Sequence, residues 1–112
     1  MIIYGISNCD TVKKAKNWLD QHSIDYQFHD FRKQGLDETT INQWLKTVPW
    51  DKILNKRSTS WRNLDISIQQ AVNSSNVVSL LVENPTLIKR PVMDVNGTIT
   101  IGFNADTLSG YF

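Results

Sequence analysis

The only cysteine in the chain, Cys9, is the residue best suited to covalent chemistry. It follows a short apolar run, Met1 to Tyr4, and precedes apolar residues at helical spacing, so it should lie where a strand ends and a helix begins. The unpaired backbone N–H groups and partial positive charge of a helix start favour the thiolate, the reactive form of cysteine. A free cysteine is more often a small buried hydrophobic residue. The polar neighbours Asn8 and Asp10 argue against that alternative, because such residues are rarely buried.

The composition and charge of the chain are those of an ordinary globular protein. A chain of 112 residues, 40% hydrophobic and 21% charged, predicts a single domain over residues 1–112. A formal net charge of +1 provides no general attraction to nucleic acid or to anionic membranes. The apolar runs are too short for a signal peptide or a membrane span, and one cysteine cannot form an internal disulfide. We therefore expect a cytoplasmic monomer that binds neither nucleic acid directly nor membrane.

The first part of the chain predicts a β-α-β unit. Ile2–Gly5 should form a buried strand, and a helix should run from about Thr11 to about His22. The alternation of apolar and polar residues over Ile24–His29 predicts a half-buried second strand. A crossover connection of this kind is almost always right-handed. The apolar side of the helix carries Val12, Ala15, Trp18 and Leu19.

A helical insertion is predicted next, over about residues 37–84. Asp37 and the pair Thr39-Thr40 offer caps for a helix, and Pro49 should end it. Two stretches without an apolar period, Phe31–Gly35 and Asn55–Arg62, are predicted as loops. The apolar face of the capped helix carries Ile41, Trp44, Leu45 and Val48, and further helical segments are predicted at Trp50–Leu54, Ile66–Val72 and Val77–Glu83.

The last part of the chain predicts a β-hairpin. Asn96-Gly97, between the apolar segments Val92–Val95 and Thr98–Ile101, is the dipeptide that a type I′ turn prefers. Leu87-Ile88 should form a short strand before Lys89-Arg90-Pro91. The order of elements predicts an α/β fold with a thioredoxin-like mixed sheet, built from a βαβ half and a ββα half with a helical insertion.

Several motifs along the whole chain resemble the YffB branch of the ArsC/Spx family, the arsenate reductase-like proteins. The most specific combination is Cys-Asp-Thr-Val-Lys-Lys-Ala at residues 9–15 followed by Leu-Ile-Lys-Arg-Pro at residues 87–91. Further matching segments are Tyr4-Gly5-Ile6, Phe28-His29-Asp30-Phe31-Arg32-Lys33, Leu54-Asn55-Lys56-Arg57, Trp61-Arg62 and Ile101-Gly102-Phe103.

The resemblance implies a mechanism and a set of site residues. In arsenate reductases of this type one cysteine attacks arsenate, glutathione joins the adduct, and glutaredoxin completes the reduction. Cys9 corresponds to the nucleophile, Arg90 to an oxyanion-binding arginine, and Pro91 to the proline that follows a cis peptide bond. Asn8, beside the nucleophile, and Pro91 are also assigned to substrate or anion binding. Glutathione is then the expected co-substrate, glutaredoxin a candidate partner, and no cofactor is expected to be bound.

Three positions depart from the arsenate reductases. Asn55 and Gly102 stand where those enzymes carry two more oxyanion-binding arginines, and Gly5 stands where they carry a histidine. The resemblance therefore implies thiol chemistry without efficient arsenate reduction. Lys56 and Arg57 follow the first gap and are assigned to anion binding, where they could meet the carboxylates of glutathione. A solvated basic loop remains the alternative for these two residues.

Three functional hypotheses follow. The first is a single-cysteine, glutathione-dependent thiol oxidoreductase with Cys9 as nucleophile and Arg90 as anion binder. The second is a regulator or adaptor that binds RNA polymerase, as Spx-type relatives do. It would lack the two-cysteine switch, because the segment Cys9-Asp10-Thr11-Val12 has a valine at the second cysteine position. The third is a structural relative with an inert Cys9. The two histidines, His22 and His29, have no accompanying ligand set, so we expect no metal. For His29, which ends the alternating strand, we expect a capping or packing role.

Overall fold

The computed structural model describes all of residues 1–112, and its central element is a mixed four-stranded sheet. The strands are β1 (Ile2–Gly5), β2 (Gln27–Asp30), β3 (Val92–Val95) and β4 (Thr98–Ile101), in the order β2-β1-β3-β4. Strand β1 runs parallel to β2 and antiparallel to β3, and β3 pairs antiparallel with β4. This arrangement confirms the predicted mixed α/β sheet, with its βαβ and hairpin halves.

Helix α1 (Asp10–Gln21) connects β1 to β2. Of its predicted apolar side, Val12, Ala15 and Leu19 are buried and Trp18 is half-buried. Ile3 of β1 and three residues of the helix, together with residues of β3 and the C-terminal helix α8 (Ala105–Ser109), form one hydrophobic core. The predicted helix bounds are confirmed to within one residue at each end. The fully buried members of this core are Ile3, Val12, Ala15, Leu19, Met93, Val95 and Leu108.

The second strand begins three residues later than predicted, at Gln27 rather than Ile24. Ser23 has a positive φ of 56°, and the Ile24 N–H donates to the Leu19 carbonyl at 2.9 Å, so the chain is still ending the helix there. The Gln27 N–H donates to the Met1 carbonyl at 3.0 Å, where the ladder with β1 begins. Alternation of apolar residues could not reveal where the helix ends, and the predicted start was wrong.

Both stretches predicted as loops contain a single turn of helix. Helix α2 (Phe31–Gln34) has Asp30 as its N-cap, and the carboxylate of Asp30 accepts the Arg32 N–H at 2.8 Å. Further along the chain, Ser58 caps the turn Thr59–Arg62 by accepting the Trp61 N–H. One helical turn is too short to show an apolar period, so only the capping side chains mark it.

The chain divides into two compact units, one comprising Met1–Gly35 and Arg90–Phe112 and the other Leu36–Lys89. The second unit is helical and corresponds to the predicted insertion. In it the helix Glu38–Leu45 (α3) packs against the helix Val77–Glu83 (α7), and Asp37 caps α3 as predicted. The single domain over residues 1–112 stays a prediction. The helices of this unit are α3 (Glu38–Leu45), α4 (Trp50–Ile53), α5 (Thr59–Arg62), α6 (Ile66–Ala71) and α7 (Val77–Glu83).

The predicted strand Leu87-Ile88 was wrong. Pro85–Leu87 forms a short 3₁₀-helix, and Ile88 makes only an isolated bridge to Leu54. The hairpin is confirmed, since Asn96 and Gly97 have φ values of 52° and 93° between β3 and β4. None of the helices combines the length and apolar character that a membrane span needs.

Candidate active site

Cys9 lies at the N-cap position of α1, as the sequence predicts. Its backbone is extended, with φ −105° and ψ 124°, and its carbonyl accepts the Lys13 N–H at 3.0 Å. The side chain makes no capping hydrogen bond, unlike the serine, asparagine or aspartate residues that usually occupy this position. The thiol is free and half-buried, and the residue also packs against the core that surrounds α1. The sulfur therefore lies at the positive end of a helix without a disulfide partner or a capping hydrogen bond.

The sheet brings Arg90 and Pro91 to the same edge as the Cys9 loop. Tyr4 of β1 is paired with Val92 of β3, and the two strands are antiparallel. The end of β1 and the beginning of β3 consequently lie side by side, with the Cys9 loop leaving the first and Arg90-Pro91 entering the second. The Arg90–Pro91 peptide bond is cis, as the resemblance implied.

Arg90 carries an unusual buried donor. The side chain as a whole is half-buried, but its Nη1 atom is shielded from solvent and has no hydrogen-bond partner in the protein. A buried polar group without a partner is destabilising, and a charged donor more so. A carboxylate or another oxyanion is the acceptor that a guanidinium binds most strongly, because two parallel hydrogen bonds can form. The buried Nη1 atom of Arg90 thus lacks an acceptor in the protein, and the assignment of Arg90 to anion binding stays a prediction.

Asn8 contacts a residue that the sequence analysis did not assign to the site. The Nη1 atom of Arg32 donates to Oδ1 of Asn8 at 3.4 Å, across 24 positions in the sequence. Arg32 follows the end of β2, which runs parallel to β1. The carboxyl ends of parallel strands meet at one edge of a sheet. A cationic residue just after the second strand, such as Arg32, was therefore the sequence signal that could have placed it near Cys9.

Lys56 and Arg57 belong to the helical unit, where their loop has a defined structure. The Oδ1 atom of Asn55 accepts the Arg57 N–H at 3.1 Å, and the Arg57 carbonyl accepts from Nη2 of Arg62 at 2.9 Å. The Nζ atom of Lys56 lies 5.6 Å from the centre of the Trp61 ring. Both Lys56 and Arg57 are exposed, and their assignment to anion binding stays a prediction.

Two of the positions that depart from the arsenate reductases have clear structural reasons to be glycine. A Cβ atom at Gly5 would lie 2.7 Å from Cγ2 of Val12, so α1 packs too closely on the end of β1 for a larger residue. Gly102 has a φ of 78°, in the left-handed region that favours glycine, and its N–H donates to the Pro91 carbonyl at 2.8 Å. A side chain at Gly102 would be strained although there is open space around it.

Replacing Gly5 with alanine is expected to destabilise the fold by about 1–3 kcal/mol, as overpacked side chains commonly do. The added methyl group would push Val12, and with it the helix that begins after Cys9. Urea unfolding of the single variant measures the loss. The Val12→Ala background is the matched control, because a smaller side chain there should accommodate the methyl group and reduce the loss. An equal loss in both backgrounds would contradict the proposed clash.

The two histidines have local roles. The Trp18 carbonyl accepts a hydrogen bond from Nδ1 of His22 at 2.7 Å, and the two rings stack with centres 4.0 Å apart. The Gly35 carbonyl accepts from Nε2 of His29 at 2.6 Å, and the His29 ring lies 5.1 Å from that of Tyr4. The contacts of His29 agree with the capping or packing role expected for it. No group of three or more His, Cys, Asp or Glu side chains is arranged to hold a metal ion.

Comparison with known proteins identifies the family. The ArsC family model matches residues 4–110 of the chain. The chain belongs to the ArsC family. This ArsC-family chain is similar to the solved structure of a YffB protein, with a TM-score of 0.94 and 34% identity over 98% of this chain and 96% of the other. It is also similar to an arsenate reductase-related protein from Brucella melitensis, with a TM-score of 0.77 and 43% identity over 99% and 92% of the two chains.

A regulator is among the relatives of this ArsC-family chain. The regulatory protein MgsR of Bacillus subtilis is 32% identical over 110 residues, which cover 96% of this chain and 86% of that protein. The assignment to the ArsC/Spx family that the motifs suggested is thus confirmed, and the relatives include both a YffB protein and a regulator. The relatives thus include a protein named as arsenate reductase-related and another named as a regulator.

Proposed function

We propose that this chain is a thiol oxidoreductase that uses Cys9 as its single nucleophile and glutathione as its co-substrate. The observation that carries the proposal is the half-buried thiol at the N-cap of α1, with no capping hydrogen bond of its own. The antiparallel pairing of β1 with β3, which brings Arg90 to the same edge, supports it. Family membership supports the choice of reaction, because arsenate reductase-like proteins act through a cysteine at this position.

The reaction is a two-step disulfide exchange. The Cys9 thiolate attacks the glutathione sulfur of a mixed disulfide; the S–S bond breaks, and the other thiol leaves as a thiolate that takes a proton from solvent. The thiolate of a second glutathione then attacks the sulfur of the glutathione bound to Cys9. Oxidised glutathione leaves, and the Cys9 thiolate is restored. The net reaction converts the mixed disulfide and one free glutathione into the free thiol and oxidised glutathione. One disulfide bond is consumed and one is formed, so one cysteine is sufficient.

Arg90 is proposed to bind a carboxylate of glutathione, with Asn8 and the Arg90-Pro91 backbone beside it. The buried Nη1 atom of Arg90 would gain an acceptor when the anion binds. Lys56 and Arg57 are proposed as further anion-binding groups, on the basis of their charge and exposure. A reducing cytoplasm would keep Cys9 in the free thiol form, and glutaredoxin is a candidate partner in regenerating it.

Replacing Arg90 with glutamine is expected to raise the KM for glutathione about tenfold to a hundredfold, because a hydrogen bond to a charged group contributes about 1.5–3 kcal/mol. The measurement is the glutathione-dependent reduction of hydroxyethyl disulfide at varied glutathione concentration. Lys89→Gln is the matched control, since it removes a charge from the adjacent exposed residue. Turnover by the unmodified chain that does not exceed the uncatalysed exchange would overturn the proposed function. An unchanged KM in Arg90→Gln would overturn only the role of Arg90.

A regulator is the second candidate, and the 32% identity to MgsR over nearly the whole chain favours it. Such a protein would bind RNA polymerase and need no turnover. A pull-down with purified RNA polymerase tests this directly. Stoichiometric retention of the polymerase, equally strong in a Cys9→Ser variant, would support the regulator and oppose the enzyme.

A further inference from the structure

We infer that Arg32 selects anionic disulfides for reaction at Cys9. This inference rests on the proposed thiol oxidoreductase function. Its basis is the contact of 3.4 Å between Nη1 of Arg32 and Oδ1 of Asn8, the residue immediately before the nucleophile. Both side chains are exposed, so the guanidinium is accessible to an approaching substrate.

The turn that carries Arg32 is fixed by side-chain hydrogen bonds. The carboxylate of Asp30, a residue that is only 5% exposed, accepts the Arg32 N–H at 2.8 Å. The Asp30 N–H in turn donates to Oε1 of Gln34 at 3.0 Å, so the two ends of α2 are joined. Gly35 closes the turn with a φ of 71°, and its carbonyl accepts from His29. The backbone of Arg32 is therefore anchored at the end of β2.

The contact with Asn8 positions the guanidinium without neutralising it. Asn8 offers a neutral acceptor, and a guanidinium has five N–H donors, so the other donors and the full positive charge stay available. Asp10 flanks Cys9 on the other side and is exposed, and its negative charge repels an anionic substrate. The positive charge of Arg32 would offset that repulsion, because its guanidinium contacts Asn8, the residue that precedes Cys9.

A charge in this position should change which disulfides react and leave the chemistry itself unchanged. The Cys9 thiolate attacks one sulfur, the S–S bond breaks, and a thiolate leaves, whatever charge the substrate carries elsewhere. A cation about 4 Å from an anionic group in water changes the rate roughly fivefold. The expected signature is thus a charge-dependent change in rate.

The test is the single-turnover rate of Cys9 with three disulfides: anionic dithiobis(nitrobenzoate), neutral hydroxyethyl disulfide and cationic cystamine. In Arg32→Gln we expect the anionic disulfide to react roughly fivefold more slowly, the neutral one at an unchanged rate and the cationic one faster. Arg32→Lys, which keeps the charge, should retain the preference for the anionic disulfide. About 1 M salt should remove it, because the screening length falls to about 3 Å.

Lys33→Gln is the matched control, since it removes a neighbouring exposed charge from the same turn. An equal change for all three disulfides in Arg32→Gln would overturn the inference and show a structural role. The same charge dependence in Lys33→Gln would also overturn it, because the effect would then come from the general field of α2. If the unmodified chain reacts with none of the three, the proposed function fails together with this inference. If it reacts and only the charge dependence is missing, the proposed function stands.

Discussion

Replacing Cys9 with serine is expected to abolish glutathione-dependent turnover while leaving the fold intact. A serine hydroxyl is not ionised at neutral pH and does not attack disulfides, so no mixed disulfide can form. The substitution is nearly isosteric, and serine is a preferred N-cap residue, so α1 should keep its start. The thiol makes no capping hydrogen bond that the variant would lose. Reduction of hydroxyethyl disulfide measures the activity, and circular dichroism with thermal unfolding measures the fold.

Ser7→Ala is the matched control for this experiment. Ser7 is exposed in the same loop, two positions before the nucleophile, and we expect the variant to retain turnover. Turnover that is unchanged in Cys9→Ser would show that the chemistry lies elsewhere in the chain. Loss of turnover together with loss of the folded state would instead assign Cys9 a structural role in the core that surrounds α1.

Arsenate turnover is expected to be negligible, even when glutathione and glutaredoxin are supplied. Each preorganised donor to the charge of an oxyanion transition state contributes about 2.7–4 kcal/mol. The two arginines missing at Asn55 and Gly102 would then account for roughly 5–8 kcal/mol if they act independently. This corresponds to about four to six decades in rate.

Neither position supplies the guanidinium that the reductases carry there, and both residues have local structural roles. Oδ1 of Asn55 accepts the Arg57 N–H, and the Asn55 carbonyl accepts from the Ser58 hydroxyl, so this residue organises its own turn. Gly102 has no side chain and a φ of 78°. The measurement is steady-state arsenate reduction in a coupled assay, with a true reductase as the reference. Turnover at about 1 per second or faster, a rate typical of enzymes, would contradict the account.

Periodic elements could be predicted well from the sequence, and single-turn elements could not. The apolar spacing of Val12, Ala15 and Leu19 predicted the helix after Cys9, and Asn96-Gly97 predicted the hairpin. Helix α2 was missed because it rests on one carboxylate, that of Asp30, and on a glycine at its end. An apolar pattern that repeats over several helical turns can be recognised in a sequence. A single capping residue cannot, because polar residues of the same type are common in loops.

Site residues that belong to a continuous sequence motif could be predicted. A contact between residues that are far apart in the sequence could not. Cys9 and Arg90 could be assigned from motifs, and the structure brings their segments to one edge of the sheet. Arg32 could not be assigned, because its contact with Asn8 depends on the parallel pairing of β1 with β2. The sequence showed that Gly5 departs from the reductases, but only the packing of Val12 on β1 explains why.

The central claim is that the folded chain makes Cys9 more reactive than an ordinary cysteine. The rate of alkylation by iodoacetamide, a neutral reagent, tests it most directly when the folded chain is compared with a peptide of residues 5–16. The peptide holds the same neighbouring side chains but is too short to form a stable helix in water. We expect faster alkylation of Cys9 in the folded chain at neutral pH. An equal or slower rate in the folded chain would contradict it and identify Cys9 as an inert core residue.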